Sequence, residues 1–346
     1  MRSPSARRLL LIGAAFIVPL LLVEGTINVL IATHRLPYAD AHRDDFEITW
    51  ANLERQAPVD VLILGDSTAQ QGMEPRVLEE LVEEALGRSI EVFNAASPGG
   101  VLGTNAAIVQ QLADEDRLPP ILVVAVYAGT LSTDATFQDI FSRTAMGRLF
   151  TGCRGPTSVE ETLDCHLGRV SALWRWRGHP GDVVTAVATP LPATDGEAGL
   201  RLRADGFREG RGRPISHLER QVRRADLSRR LFDFPPAVRH SWTRLVATAR
   251  AEGSTVIGVA IPDTPQLRDQ MEELQPGRER MYHEAVHELA ESSGVPFVDV
   301  ARFGDWFGDG MARNFNHLSR EGARHFTRQV WEMPAFRQLL LDALDG

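Results

Sequence analysis

The sequence contains no lysine: all 37 of its basic residues are arginine. Codon usage in a GC-rich genome explains this most simply. The 46 Asp and Glu residues outnumber the arginines, so the formal net charge is −9 at pH 7. An acidic chain is not expected to be a general nucleic-acid binder, because such proteins are normally basic over the binding domain. We therefore expect no nucleic-acid partner.

Cysteine is also scarce, since Cys153 and Cys165 are the only two. Two thiols are too few for a structural zinc cluster, and no P-loop or dinucleotide-binding glycine motif follows the first predicted strand. We therefore expect no cofactor. In an oxidising compartment, two nearby cysteines in one polar segment predict a disulfide, worth about 3 kcal/mol in the chain-entropy model. Two free thiols are the alternative for a chain that faces the cytosol.

The N-terminus has the pattern of a membrane anchor. Residues 1–8 contain three arginines and form a predicted cytoplasmic tip, and residues 9–32 are mostly apolar. As a helix, residues 9–32 would span roughly 36 Å, enough for a bilayer core of about 30 Å. The arginines predict a single pass through the bacterial cytoplasmic membrane, with the rest of the chain outside. A cleaved signal peptide is the alternative, although Leu30 stands where a cleavage site would need a small residue.

After a linker at residues 33–56, the pattern of residues 57–346 predicts one α/β domain. Short β-branched runs alternate with stretches of helical periodicity. The predicted strands are residues 61–65, 90–93, 121–127, 255–261 and 296–300, and the predicted helices are residues 74–86, 104–114, 265–292 and a last one from about 319. This alternation predicts a flavodoxin-like three-layer α/β/α fold with a parallel sheet, whose crevice lies at the carboxyl ends of the strands.

The alternation breaks down between about residues 136 and 240, which we interpret as an irregular insertion beside the crevice. Within residues 201–250 there are 13 arginines and 5 acidic residues. One interpretation is an electropositive surface for anionic lipid headgroups or an acidic glycan. The alternative is a solvated, arginine-rich helical face.

The first predicted strand ends in Gly65-Asp66-Ser67, which places a serine in the predicted crevice. A serine at this point offers its hydroxyl as a nucleophile and its amide as an oxyanion donor. The motif differs from the G-x-S-x-G elbow of α/β-hydrolases, because Ala69 stands two residues after Ser67. An ordinary helix N-cap is the alternative.

His317 is the candidate general base, because it lies on a predicted loop just before the last helix. Asn314, three residues earlier on the same loop, can reach Nδ1 of His317 and orient the ring. Ser67, His317 and Asn314 are therefore the predicted catalytic residues.

These elements resemble the SGNH/GDSL hydrolase superfamily from about residue 61 to the C-terminus, apart from the insertion. The matching residues are Gly65-Asp66-Ser67, Phe93-Asn94…Gly99 and Asn314-x-x-His317-Leu318-Ser319…Gly322-Ala323. The resemblance implies a Ser67 nucleophile, a His317 base, oxyanion-hole amides on Ser67 and Gly99, and substrate contacts by Asp66 and Asn94.

The predicted anchor is similar to that of membrane-tethered envelope members of this superfamily, of the D-alanyl transfer and alginate O-acetylation type. That similarity implies a serine esterase or O-acyltransferase whose substrate is an acylated envelope glycan or lipid. It also implies other envelope acyl-transfer proteins as partners.

Two positions depart from the superfamily pattern. Asn314 stands where Asp is usual, and its amide accepts a hydrogen bond from Nδ1 without stabilising the imidazolium by charge; Asp305 and Asp309 are alternative orienting groups on the same loop. After the third strand, Leu131 replaces the Asn that normally completes the oxyanion hole, and Thr130 is the predicted substitute donor, with Ser132 as the alternative.

The departures support a second hypothesis, a catalytically degenerate relative that binds or presents an envelope polymer. The arginine-rich insertion would then be the contact surface.

A competing motif, His283-Glu284-Ala285-Val286-His287, fits the H-E-x-x-H zinc signature. A zinc site needs a third protein ligand, and Ala290 and Ser293 stand where the longer zinc-protease signature has Gly and His. The helical period predicts that Met281, Ala285 and Leu289 face the sheet. The two histidines are therefore interpreted as surface residues, and no metal is expected.

Overall fold

The computed structural model describes residues 6–32, 49–50, 52–56, 58–132, 167, 171, 200–227, 231–300 and 302–345. The chain divides into two compact units, one of residues 1–44 and 144–194 and one of residues 45–143 and 195–346. Cys153 and Cys165, for which a disulfide is predicted, lie outside the described residues, as does most of the predicted linker.

In the first unit, the predicted anchor segment is helical. Helix α1 spans Ala6–Ala32 and contains Pro19. Within α1, Glu24 accepts hydrogen bonds from Asn28 Nδ2 at 3.0 Å and from Ser171 Oγ at 2.8 Å. Over the residues that the structure describes, we find no helix with both the length and the apolar character needed to cross a bilayer.

The second unit is built around a parallel sheet. Its strands, in chain order, are β1 (Val61–Leu64), β2 (Val92–Asn94), β3 (Ile121–Val126), β4 (Leu200–Leu202), β5 (Arg208–Gly210), β6 (Thr255–Ala260), β7 (Phe297–Asp299), β8 (Ala312–Asn314) and β9 (His317–Leu318). Five of them form the sheet, in the order β2-β1-β3-β6-β7 with every pair parallel. The pairs β4–β5 and β8–β9 are separate antiparallel ribbons.

Helices connect these strands. They are α2 (Ser67–Gln70), α3 (Pro75–Leu86), α4 (Leu102–Asp114), α5 (Ala128–Leu131), α6 (Ile215–Arg224), α7 (Pro236–Ala251), α8 (Pro265–Leu274), α9 (Arg278–Ser293), α10 (Arg320–Glu332) and α11 (Pro334–Asp345). Parallel strands need such crossover connections, because a short turn cannot carry the chain back to the start of the next strand.

The central strands are buried on both faces, since successive side chains point to opposite sides of the sheet. Val61, Ile63 and Val123 pack with Phe326 of α10 and Phe336 of α11 in one core. On the other side, α7 packs against α4 and α9. The unit therefore has helices on both sides of a parallel sheet, and the predicted parallel-sheet α/β class is confirmed.

Two sequence predictions about the helices need correction. Residues 265–292 form two helices rather than one, because Gly277 adopts a left-handed φ of 81° between α8 and α9. The helix predicted from about residue 319 is α10, and Pro334 begins a further helix, α11.

The segment predicted to be an irregular insertion contains regular elements among its described residues from residue 200 onwards. It contains β4, β5, α6 and the start of α7. In α6 only Leu218 and Val222 are buried, and Val222 lies in a small core with Leu267 and Met271 of α8. The sequence pattern missed this helix because so few apolar residues mark its inner face.

The turn between β4 and β5 covers β2, the strand at one edge of the sheet. Asn94 N donates a hydrogen bond to Asp205 O at 2.9 Å. Gly206 has a φ of 78°, and a Cβ there would lie 1.9 Å from Asn94 O, so only glycine fits. Covering an edge strand in this way blocks pairing with another chain.

Candidate active site

Ser67 lies directly after β1, at the first position of α2 and at the carboxyl edge of the sheet. Gly65 permits this turn, because a Cβ there would lie 2.5 Å from Ala69 Cβ and 2.8 Å from Ala125 O. Asp66 caps α2, since its Oδ1 accepts from Thr68 N at 2.8 Å and from Thr68 Oγ1 at 2.6 Å. Ser67 is partly exposed while both neighbours are buried, so its hydroxyl is held at an accessible position.

The β8–β9 ribbon brings His317 to Ser67. Within the ribbon, Asn314 is paired with His317. His317 Nε2 lies 2.8 Å from Ser67 Oγ, and His317 Nδ1 lies 2.9 Å from Asn314 Oδ1. The three predicted catalytic residues therefore form one continuous hydrogen-bonded chain, although Ser67 and His317 are 250 positions apart in sequence.

The protonation of the His317 ring follows from the bonds of Asn314. Asn314 Oδ1 also accepts from the amides of Asn316 at 3.1 Å and His317 at 2.9 Å, which establishes that the oxygen of the side-chain amide faces the ring. An amide oxygen can only accept, and at 2.9 Å it is closer to Nδ1 than the Arg313 guanidinium, a donor 3.4 Å away, so we assign the ring proton to Nδ1. Nε2 then has a free lone pair that accepts the Ser67 hydroxyl proton.

The alternative orienting carboxylates do not take this position. Asp309 Oδ1 accepts from the amide of Ile215, the first residue of α6, at 2.7 Å, and Asp305 is exposed. The guanidinium of Arg313 lies near the ring instead, with Nη2 3.4 Å from His317 Nδ1 and Nε donating to Gln71 Oε1 at 3.1 Å. The group that orients His317 is thus a neutral amide.

The turn that carries Gly99 lies against the start of the nucleophile motif. Ser97 N donates to Gly65 O at 3.4 Å, and Gly100 N donates to Ser97 O at 2.9 Å. Gly99 has a left-handed φ of 68°. The Ser67 amide is in the first turn of α2, where an N–H has no acceptor within the helix.

The amide and the hydroxyl of Thr130, the predicted oxyanion donor, both have hydrogen-bond partners within the protein. Residues 128–131 form α5, in which Thr130 N donates to Tyr127 O at 2.9 Å. The Thr130 side chain hydrogen-bonds Asp66. The Thr130 amide is therefore already used and its hydroxyl supports the residue before the nucleophile, while Leu131 is fully buried.

Asn94 and Asp66, the predicted substrate contacts, are buried and form hydrogen bonds within the protein. Asn94 is fully buried. Its Nδ2 donates to Ala69 O at 3.1 Å and Met73 O at 2.9 Å, and its Oδ1 accepts from Ala96 N at 3.1 Å. Asn94 thus ties the segment after Ser67 to β2, and Asp66 caps α2.

Burial raises the pKa of Asp66 to about 6, from 3.8, because the carboxylate is removed from water. Hydrogen bonds from Thr68, the Ala69 amide and Thr130 oppose this by favouring the charged form. A carboxyl group adjacent to the nucleophile therefore titrates near pH 6.

A cleft of about 310 Å³, part of it open to solvent, is lined by sequence neighbours of the catalytic residues: Thr68 follows Ser67, and Asn316 and Leu318 flank His317. We name it the acyl cleft; it is lined by Thr68, Tyr127, Ile261, Phe303, Asn316 and Leu318, among others. Tyr127 and Phe303 were not among the residues predicted for the site. The aromatic cluster F-x-x-W-F at residues 303–307 was the available signal, since Phe303 contacts Trp306, Phe307 and Phe326.

The histidines of the H-E-x-x-H motif have different surroundings. His283 Nδ1 bonds Asp299 Oδ2 at 2.7 Å, which raises the pKa of His283, whereas His287 is exposed. The buried face of α9 consists of Tyr282, Ala285, Val286 and Leu289. Met281, predicted to face the sheet, is only half-buried.

Comparison with protein-family models gives no match, and no curated protein matches the chain. Among solved structures, the chain is similar to TesA, with 15% identity, 81% of this chain and 98% of that chain covered, and a TM-score of 0.39. It is also similar to the psychrotrophic esterase EstA from Pseudoalteromonas sp. inhibited by monoethylphosphonate, with 12% identity, 82% and 96% coverage, and a TM-score of 0.35.

Proposed function

We propose that this protein is an SGNH/GDSL-type serine esterase or O-acyltransferase. The observation that carries the proposal is the chain from Ser67 Oγ to His317 Nε2, at 2.8 Å, and from His317 Nδ1 to Asn314 Oδ1, at 2.9 Å. A nucleophile bonded to a base, which is itself bonded to an orienting group, is the arrangement that activates serine for acyl transfer.

In the proposed reaction, Ser67 Oγ bonds to the ester carbonyl carbon while His317 Nε2 takes the hydroxyl proton. The carbonyl oxygen becomes an oxyanion, for which the amides of Ser67 and Gly99 are the proposed donors. Collapse breaks the bond to the alcohol oxygen, which receives the proton from Nε2. Water or a second alcohol then attacks the acyl-serine, giving hydrolysis or transfer through the same intermediate.

The neutral orienting group makes a slow enzyme the expected outcome. Asn314 holds the ring in the required tautomer but supplies no negative charge to the imidazolium that forms during the reaction. In a serine protease, replacing the orienting Asp by Asn lowers turnover about 10⁴-fold, mainly through the wrong tautomer. The Asn314 oxygen avoids that tautomer problem, so we expect a smaller loss.

We further propose an extracytoplasmic location, with residues 9–32 as an uncleaved anchor in the bacterial cytoplasmic membrane. The support is the apolar sequence of residues 9–32 and the three arginines that precede it. An acylated envelope glycan or lipid is the corresponding substrate, and other envelope acyl-transfer proteins are the corresponding partners.

A catalytically degenerate polymer-binding protein is the second candidate. The observation that favours it is the absence of a spare donor at residues 130 and 131, since the Thr130 amide donates to Tyr127 O and Leu131 is a buried apolar residue. The arginine-rich surface is weaker support than its charge suggests. Arg203 pairs with Glu74, and Arg239 pairs with Glu288, two carboxylates from outside residues 201–250.

Labelling with a fluorophosphonate probe distinguishes the two candidates. The purified full-length protein is incubated with the probe and its intact mass is measured beside a Ser67→Ala variant. We expect one adduct on the native chain and none on the variant, since only an activated serine reacts. Absence of an adduct on the folded native chain, or an adduct that persists in Ser67→Ala, would contradict the proposal.

A further inference from the structure

A second pocket adjoins the acyl cleft, and both are lined by Pro262 and Asp263, which follow β6. We name it the polar pocket. It encloses about 370 Å³ of empty space, part of it open to solvent. Its lining includes Ala128, Arg268, Arg278 and His283. In parallel α/β folds, ligands bind at this carboxyl edge of the sheet.

The floor of the polar pocket is a buried ion pair with unused hydrogen-bonding capacity. Arg278 is 4% exposed and its Nη1 pairs with Asp263 Oδ2. Among the described residues, Arg278 Nε and Asp263 Oδ1 are buried and have no hydrogen-bond partner. Leaving such groups unpaired is costly, so native proteins satisfy them with a ligand or with water.

A further buried polar atom without a hydrogen-bond partner in the described part of the chain belongs to Asp299, the partner of His283. His283 lines the polar pocket and bonds Asp299 Oδ2, while Asp299 Oδ1 is buried without a partner among the described residues. The lining residues Arg278 and Asp263 therefore supply one unused guanidinium donor and one unused carboxylate acceptor, and a second unused acceptor belongs to Asp299, the partner of the lining residue His283.

This combination matches a hydroxyl group, which both donates and accepts. Basic and acidic side chains are mixed in the lining of the polar pocket: Arg268, Arg278 and His283 are present together with Asp263, Glu272 and Glu279. A balanced set gives no net attraction for a simple anion or cation. Neighbouring donors and acceptors on planar charged groups instead suit the vicinal hydroxyls of a sugar or polyol.

We propose that the polar pocket binds the hydroxyl-bearing part of the substrate, a sugar or polyol, while its acyl group lies in the acyl cleft beside Ser67. This assignment rests on the proposed esterase or acyltransferase function. It predicts that the protein distinguishes an acetylated sugar from an acetyl ester without hydroxyl groups.

Two variants test the polar pocket through substrate preference. Arg268→Ala removes a lining cation whose partner is its exposed neighbour Asp269, and Ala128→Leu places extra volume in the pocket. For each, kcat/KM is measured for 6-O-acetylglucose and for p-nitrophenyl acetate. We expect the ratio of the two values to fall about tenfold, because the sugar hydroxyls lose their partners.

The matched control is Arg280→Ala on α9, since Arg280 is 76% exposed and pairs only weakly, through a solvent-exposed contact with Glu284. It should leave the ratio unchanged. An unchanged ratio in both Arg268→Ala and Ala128→Leu would overturn the proposal.

A binding measurement separates failure of the polar pocket from failure of the proposed function. Saturation-transfer NMR with methyl glucoside is recorded on the full-length Ser67→Ala protein, which needs no catalysis. Binding that disappears in the Ser67→Ala, Ala128→Leu double variant supports the pocket even if no ester is cleaved. Absence of glucoside binding, or displacement of the glucoside by inorganic phosphate at equimolar concentration, counts against a sugar site, the latter identifying an anion site.

Discussion

At the scale of single residues, the side-chain amide of Asn314 determines how His317 works. Three donors converge on its Oδ1: the amides of Asn316 and His317 and the ring Nδ1. This geometry fixes the tautomer, yet the electrostatic help that a carboxylate would give to the imidazolium is missing. Orientation and charge stabilisation, which one Asp usually supplies together, are here separated.

An Asn314→Asp variant tests this separation. All three donors can bond a carboxylate equally well, so the ring orientation should persist while the imidazolium gains an anionic partner. We expect kcat for ester hydrolysis to rise by about tenfold or more, against the roughly 10⁴-fold loss for the reverse change in a serine protease. Steady-state kinetics with p-nitrophenyl acetate measures it. Asn314→Ala should be slower than the native chain, and an Asn314→Asp enzyme no faster than native would contradict this account.

Asp66 has its own pH signature. Its pKa is raised to about 6 in the folded chain, so the folded state holds a proton that the unfolded state has already lost between about pH 4 and 6. The contribution of Asp66 to the free energy of unfolding is therefore fully present below about pH 4 and is lost as the pH rises through about 6. The total loss is about 3 kcal/mol, from a shift of about two pKa units.

An Asp66→Asn variant should remove that pH dependence. Its unfolding free energy, measured by denaturant titration at pH 4.5 and pH 7.5, should fall less with rising pH than that of the native chain. Asp305→Asn is the matched control, because Asp305 is exposed. An equal pH dependence in Asp66→Asn and the native chain would refute the raised pKa.

At the scale of elements, the β4–β5 hairpin is held to the rest of its unit by buried charge. Arg203 donates from Nη1 to Glu74 Oε1 at 2.6 Å and from Nη2 to Asp205, and both Arg203 and Glu74 are almost fully buried. The backbone amide of Glu74 donates a hydrogen bond to Thr327 Oγ1 of α10 at 2.9 Å. The hairpin, the start of α3 and α10 therefore share one polar cluster.

Arg203→Ala should weaken this cluster severely, because it removes the cation hydrogen-bonded to buried Glu74 and leaves, among the described residues, only the more distant Arg324 Nε, 3.9 Å from Glu74 Oε2. We expect the unfolding free energy to fall by about 3–5 kcal/mol at pH 7, as for other broken buried pairs. Arg223→Ala is the control: its side chain is 65% exposed in an i,i+4 pair with Glu219, so a loss of under about 0.5 kcal/mol is expected. Equal effects of the two variants would contradict a buried-charge role for Arg203.

At the scale of the whole molecule, the remaining proposal concerns location. Residues 9–32 contain a single charged residue, Glu24, and follow three arginines. If they anchor the chain, the native protein should remain in the membrane fraction after alkaline washing, and a chain lacking residues 1–35 should not. Release of the native chain by the wash would refute the anchor.

The layout of the sheet was largely predictable from sequence. Buried parallel strands are continuous β-branched runs, and 121–127 and 255–261 match β3 and β6 to within one residue. Ser67 and His317 were predictable as candidates because catalytic groups follow strands and precede helices in this class. The helix α6 was not predictable, since only two of its residues are buried.

The sequence by itself determined the residue types and the order of elements, including a serine after the first strand and a histidine before the last large helices. Only the tertiary structure decided which polar residues face the site. In the folded protein, Asn94, Asp66 and Thr130 are buried and hydrogen-bonded to other groups of the protein. Asp263 and Arg278 form an ion pair beside the acyl cleft. The physical reason is that hydrogen bonding satisfies polar groups through whichever partners the fold brings near, and those partners are distant in sequence.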